Sequence, residues 1–279
     1  MKNVLVASDL TARSELAFRR AMILVGGVGA TIHLLHVGDE PDPGREREAA
    51  DHLRALAASD SETAKVECRI RVGEPHAEII AAASECEADL IVMGAHEKRL
   101  SRIFVGTTVE RVMRTGSRPV LMVNAAPSGP YQRVLLPVDM SNASANAIKA
   151  ASALDMLGRS KALIFHAFTA PAKTSLHFAN VEAGRIEEHV TASRRVALNE
   201  LANFLRSCGV SPTDYDTILE EGPPFLGIKK AAERNAPDLN VIGTQGRSGL
   251  SRALIGSVAD EVLRRVECDV LAVPPTNDG

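Results

Sequence analysis

Leu239-Asn240-Val241-Ile242-Gly243-Thr244-Gln245-Gly246, nine further residues and then Gly256-Ser257 form the stretch on which the fold turns. A short apolar run ends in glycines, loops, and restarts at Gly-Ser ahead of a helical pattern from Val258 to Val266. Glycines let backbone N–H groups come close to a ligand, and a helix N-terminus adds unpaired donors and a partial positive charge. The pattern therefore suits a phosphate. Taken alone it equally describes an ordinary strand–loop–helix connection with turn glycines. What separates the two readings is that the surrounding chain is written twice.

Val4-Leu5-Val6-Ala7-Ser8-Asp9 corresponds to Val134-Leu135-Leu136-Pro137-Val138-Asp139. Each is followed by a Ser/Thr cap and an Ala-rich amphipathic pattern, Ser14 to Val25 and Ala143 to Leu157. Ile32–Val37 then matches Ala162–Ala167, still at an offset of 130 residues. Gly73-Glu74-Pro75 matches Gly222-Pro223-Pro224, and Asp89–Gly94 matches Asp238–Gly243, now at 149. Gly106-Thr107 and Gly256-Ser257 follow, and then Pro119–Val123 and Asp269–Val273. The step in offset places about nineteen extra residues between the second and third strands of the second copy. That region, roughly Ser175 to Cys208, reads as one long helix, against a shorter one at about Arg45 to Ala58 in the first copy.

Each copy reads as strand and helix in alternation, beginning and ending on a strand. Its strands are short, Val/Ile/Leu-rich and nearly continuous, as expected when helices cover both faces of a parallel sheet. Pro127-Ser128-Gly129-Pro130 is the break, so the expected domains are 1–127 and 131–279. Ligands in such open sheets bind beyond the carboxyl ends of the strands, where strand order reverses. With a strand order of 3-2-1-4-5, Asp139 at the end of strand one and Gly243 at the end of strand four share one crevice.

Composition removes several function classes. The net charge is -3, which offers no electrostatic case for nucleic acid or an anionic membrane surface. No apolar run approaches the ~20 residues of a membrane span. Met1–Val6 leads straight into a strand without a signal-peptide pattern, and Cys68, Cys86, Cys208 and Cys268 are scattered without a CxxC, so a reduced, cytoplasmic protein is expected. Apolar residues make up 45% of the chain but aromatics only 3%, so the core is built of Ala, Val, Leu and Ile.

Together these landmarks resemble the universal stress protein family in a tandem two-domain form, over nearly the whole chain. The family's ATP motif, G-x2-G-x9-G-[S/T], is filled without gaps by Gly243, Gly246, Gly256 and Ser257. Ser248-Gly249-Leu250 and Pro137-Val138-Asp139-x-Ser141 also fit. The resemblance implies two Rossmann-like α/β domains, each a five-stranded parallel sheet of order 3-2-1-4-5 with helices on both faces, dimerising through the last strand. It implies ATP with Mg²⁺, held by loop amides, with Asp139 on adenine and Ala167 flanking the base. The expected site is Pro137, Val138, Asp139, Ala167, Ile242, Gly243, Gly246, Arg247, Gly256, Ser257 and Val258. The first copy departs from this. Glu97 stands at the place of Gly246 and the loop is one residue short, so nucleotide is expected in the second domain only, although Asp9 remains.

Other readings stay open for single residues. Asp139 also suits a helix N-cap, and Ser257 both caps the last helix and donates to phosphate. Arg247 and Arg252 either neutralise phosphate or face solvent. His36 and His166, at equivalent strand ends, read as structural. His33 and His36 point to opposite faces and share no metal. No Gly-Lys-Ser/Thr and no nucleophile–base pair is present, so neither a catalytic residue nor a metal site is assigned. The expected activity is a stress-response sensor or switch with slow or no ATP turnover. The alternatives are a slow nucleotide hydrolase or nucleotidyl transferase in the same cleft, or a small-ligand-binding scaffold. The last strands are expected to pair within the chain as a pseudo-dimer, with a further homodimer open.

Overall fold

The computed structural model describes residues 1–58, 64–95, 107–157, 161–171, 182–246 and 254–275. The first half runs β1 (Asn3–Ser8), α1 (Ala12–Val25), β2 (Thr31–Gly38), α2 (Pro43–Ala58), β3 (Lys65–Val72), α3 (Pro75–Glu85), β4 (Leu90–Gly94), α4 (Thr108–Thr115) and β5 (Val120–Val123). The second runs β6 (Arg133–Pro137), α5 (Asn142–Ala153), β7 (Lys161–Phe168), α6 (Ala183–Ser207), β8 (Asp216–Glu221), α7 (Pro224–Asn235), β9 (Leu239–Gly243), α8 (Ser257–Arg265) and β10 (Asp269–Val273). The long helix begins later than its apolar spacing suggested, at Ala183, and the stretch 172–181 lies outside the described residues.

One ten-stranded sheet runs β3-β2-β1-β4-β5-β10-β9-β6-β7-β8. Each half has the order 3-2-1-4-5 and is parallel within itself. The halves meet where β5 and β10 pair antiparallel, with Leu121 opposite Leu271. That pairing hides two fully buried apolar strands that would otherwise be open edges. The remaining edge on the first half, β3, carries Lys65, Glu67, Arg69 and Arg71 in ion pairs, and a charged edge resists further strand addition.

Successive residues of the central strands bury on opposite faces. Val4 and Val6 join one apolar layer and Leu5 the other, and all three are fully buried. This double burial is why the strands read as continuous apolar runs rather than alternating ones. The repeated aspartates Asp89 and Asp238 have a common task. Asp238 accepts from the N–H groups of Gln132 (2.7 Å) and Arg133 (3.0 Å), and Asp89 from those of Lys2 and Asn3. Each carboxylate pins the start of its half's first strand to the foot of the fourth.

The seam carries a buried charge cluster found on one side only. Asp269, 1% exposed, accepts from Arg20 Nε (3.1 Å), Tyr131 OH (2.7 Å) and the N–H groups of Asn124 (2.8 Å) and Ala125 (3.2 Å). Arg20 also donates to the Gly129 carbonyl (2.7 Å) and lies 4.2 Å from the Tyr131 ring centroid. The cluster joins α1, the linker and β10. The positions related by the internal repeat are Pro119 and Ala150, which cannot form it.

Candidate nucleotide cleft

β6 ends at Pro137, and Val138 continues its line by donating to the Phe165 carbonyl (2.8 Å). His166 Nδ1 donates to the Val138 carbonyl (2.8 Å), as His36 Nδ1 does to that of Ser8 (2.9 Å). A carbonyl only accepts, so both imidazoles carry a proton on Nδ1 and staple the second strand to the first.

The chain then turns sharply at Asp139. Its Oδ1 accepts from Ser141 N–H (3.0 Å) and from Ser144 Oγ (2.7 Å). This Asx turn throws Met140 into the left-handed region (φ 62°), and Leu10 after Asp9 repeats it (φ 62°). The strain, about 1–2 kcal/mol for a non-glycine residue, is thus built into both turns. The N-cap of α5 is Ser141, which accepts from Ser144 N–H, so Asp139 holds the turn rather than capping the helix. In the first half Asp9 accepts from Thr11 N–H (3.1 Å) and Thr11 Oγ1 (2.6 Å). Burial pushes the Asp9 carboxyl up, but these hydrogen bonds and that of Ser14 outweigh it and hold it below the ordinary 3.8.

The three glycines have different reasons. A methyl on Gly243 would lie 2.8 Å from the Ala143 carbonyl, and one on Gly94 would lie 2.7 Å from that of Arg13. The first glycine of each copy therefore lets the fourth strand press on the first helix, and its free space faces backbone rather than ligand. Gly246 is different, because a methyl there would meet Asp139 Oδ2 at 3.1 Å and nothing else within 4 Å among the described residues. Gly256 donates its N–H to the Thr244 carbonyl (2.8 Å), and a methyl on it would stand 3.7 Å from the Gly246 nitrogen. Asp139, Gly246, Gly256 and the start of α8 at Ser257 therefore stand close together, although the sequence spreads them over more than a hundred residues.

The other expected residues fall as follows. Ile242 is buried, and Ala167 and Val258 pack half-buried against the same apolar cluster. Pro137 is half-buried and Val138 buried at the floor of the turn. Ser257 is exposed at the first position of α8, and the N-cap is Gly256. The expectation that Ser257 caps the helix is corrected accordingly. In the first half the N-cap is Thr107, the counterpart of Ser257, which accepts from Glu110 N–H, so α8 starts one position earlier than α4. Arg247, Arg252, Ser248-Gly249-Leu250 and the first-half Glu97 lie outside the described residues.

Residue reading missed Gln245, an unspecified position of the glycine pattern. Its Nε2 is out of water with no acceptor among the described residues. A dry amide donor in the glycine segment fits a ligand that brings oxygen acceptors. The corresponding cleft of the first half opens as a cavity of about 610 Å³ between Asp9, His36, Ile79 and Thr107. Among the described residues no group of three or more His, Cys, Asp or Glu gathers as a metal site would require. None of the four half-buried cysteines forms a disulfide, and burial pushes the thiols of Cys68, Cys86 and Cys208 up, so they stay protonated.

The profile of the universal stress protein family matches residues 1–124 and again 130–274. A universal stress protein of Methanocaldococcus jannaschii is 29% identical over 144 residues, covering 51% of this chain and 82% of that protein. One from Synechocystis is 25% identical over 154 residues, covering 51% and 97%. Among solved structures, a universal stress protein from Archaeoglobus fulgidus superimposes with a TM-score of 0.69 at 19% identity, covering 98% of each chain. A Pseudomonas aeruginosa protein of unknown function gives 0.69 at 23% identity, covering 99% of this chain and 93% of the other. At those identities the two structures speak to the fold alone.

Proposed function

Because this chain belongs to the universal stress protein family, we propose that it is a stress-response protein that binds ATP with Mg²⁺ in its C-terminal domain, residues 131–279, as a sensor or switch. One observation carries the reading: Asp139 Oδ2 stands against Gly246, which neighbours Gly256 at the start of α8. The carboxylate accepts from a purine amine, and main-chain N–H groups with the α8 N-terminus receive the phosphates. The buried Gln245 amide adds a donor that has no acceptor among the described residues. Mg²⁺ arrives with the triphosphate, neutralising its charge.

Turnover is slow or absent in this reading. Asp139, read as the partner of the purine, has its Oδ1 committed to Ser141 and Ser144, whereas a general base must reach the attacking water. The N-terminal domain, residues 1–127, does not take ATP, because Glu97 opposes phosphate at the place of Gly246. The two domains act as an intramolecular pseudo-dimer through β5 and β10, free to pair further as a homodimer, in the cytoplasm. No helix among the described residues is long and apolar enough to cross a membrane.

The test is calorimetric titration of the full chain with Mg·ATP beside Gly246→Glu, which copies the first half's residue. Gly243→Ala is unsuitable, since its methyl strikes the α5 backbone and damages the fold. One site per chain, weakened roughly tenfold or more (about 1.4 kcal/mol or more) in Gly246→Glu, is expected. Equal binding by both proteins ends the proposal.

A further inference from the structure

We propose that the N-terminal half bears on the positions of Thr244, Gly246 and Gly256 through a cavity at the seam, so that occupying this cavity weakens nucleotide binding. The inference rests on the nucleotide reading above. The cavity holds about 240 Å³. One wall is the segment from Met113 to Ser117, the end of α4 and its exit toward β5. The opposite wall includes Thr244, Ile255 and Pro274 from the other half.

Thr244 links this cavity to the cleft. It is 3% exposed, its N–H donates to the Val273 carbonyl (2.9 Å), and its own carbonyl accepts from Gly256 N–H (2.8 Å). Its peptide thus joins the end of β10 to the last glycine of the motif. Ile255 directly precedes Gly256, and Pro274 directly follows Val273. Each of these C-terminal residues is one peptide or one hydrogen bond from the strand-and-loop frame that presents Gly246 and Gly256.

The N-terminal wall is closely packed. Gly116 N–H donates to the Val112 carbonyl (2.8 Å), and a methyl at 116 would come within 2.6 Å of that oxygen. Met113 is 3% exposed in the core, and β5 is fixed by its pairing with β10. Close-packed interiors transmit strain. Extra volume from the N-terminal wall therefore presses on Thr244, Ile255 and Pro274, at the base of the loop.

Ser117→Trp and Met113→Phe add volume from the N-terminal wall without touching the cleft, and Ser117→Ala is the control. In the full chain, Mg·ATP affinity is measured by calorimetry and Gly256 amide protection by hydrogen exchange without nucleotide. Both fillers are expected to weaken Mg·ATP by about fivefold or more, the low end of ordinary inter-site coupling, and to speed Gly256 exchange; Ser117→Ala does neither. Folded fillers with unchanged affinity and unchanged Gly256 protection overturn the inference. Should Ser117→Trp fail to fold, Ser117→Leu is read in the same way. If the wild-type chain binds no Mg·ATP, the nucleotide reading falls, and Gly256 exchange alone decides whether the seam reaches the loop.

Discussion

Removing the Asp269 carboxylate should cost this protein a large part of its stability. Asp269→Ala leaves the Arg20 guanidinium 4% exposed with its countercharge gone, and takes the acceptor from Tyr131 OH and from two main-chain N–H groups. Breaking a buried ion pair from one side costs about 3–5 kcal/mol, chiefly through the charge left behind. Arg20 keeps the Gly129 carbonyl and the Tyr131 ring, which argues for the middle of that range, about 4 kcal/mol. Domains are typically stable by about 5–15 kcal/mol, so the loss would be plain in urea unfolding followed by circular dichroism. The double variant Arg20→Leu/Asp269→Leu removes both charges and should recover most of the loss, because an apolar replacement of a buried pair is often neutral. Since the cluster ties α1 and the linker to β10, Asp269→Ala should also split one transition into two. A single transition within about 1 kcal/mol of wild type would refute the reasoning, placing the value in the range of an exposed pair.

Three further outcomes are expected. Asn240 is fully buried with neither amide atom partnered among the described residues, and its counterpart in the first half is Ile91; the near-isosteric Asn240→Leu should stabilise by about 2 kcal/mol after some overpacking, raising Tm by roughly 4–8 °C, and a lowered Tm would show that the amide has a partner. Ala236 ends α7 at φ 42° and is exposed, so Ala236→Gly should stabilise by about 0.5–1 kcal/mol in the same urea assay, whereas a loss would count against left-handed strain there. Burial raises the Asp89 carboxyl, but the N–H groups of Lys2 and Asn3 hold it below 3.8 overall; its stabilisation is present above the unfolded value and lost as pH falls through the folded one. The Tm gap between wild type and Asp89→Asn should therefore shrink between about pH 6 and about pH 3, and a gap that widens would reverse the assignment.

The fold was legible because the duplicated landmarks are residues with one geometric duty each. Asp89 and Asp238 pin strand starts, Gly94 and Gly243 admit the first helix, and Asp9 and Asp139 make the turn between strand one and helix one. Those duties leave the same letters at the same intervals; the parallel sheet followed from alternation and apolar continuity, and the strand order from the family resemblance. The cleft was legible where the pattern names residues, less so where it leaves them open. Gln245 and Thr244 occupy unspecified positions, so nothing marked one as an orphan donor and the other as the link to the seam. Arg20 and Asp269 stand 249 positions apart, and no periodicity joins them. The cap at Gly256 instead of Ser257 is a shift of one residue, below what helix-start signals resolve.

Amide chemical shifts test the central claim most directly. With Mg·ATP added to the full isotopically labelled chain, the N–H signals of Gly246, Gly256 and Ser257 should move in proportion to one bound nucleotide, while that of Gly94 stays in place. Movement at Gly94 and around Asp9 with Gly246 and Gly256 unchanged would put the ligand in the other half and contradict the account.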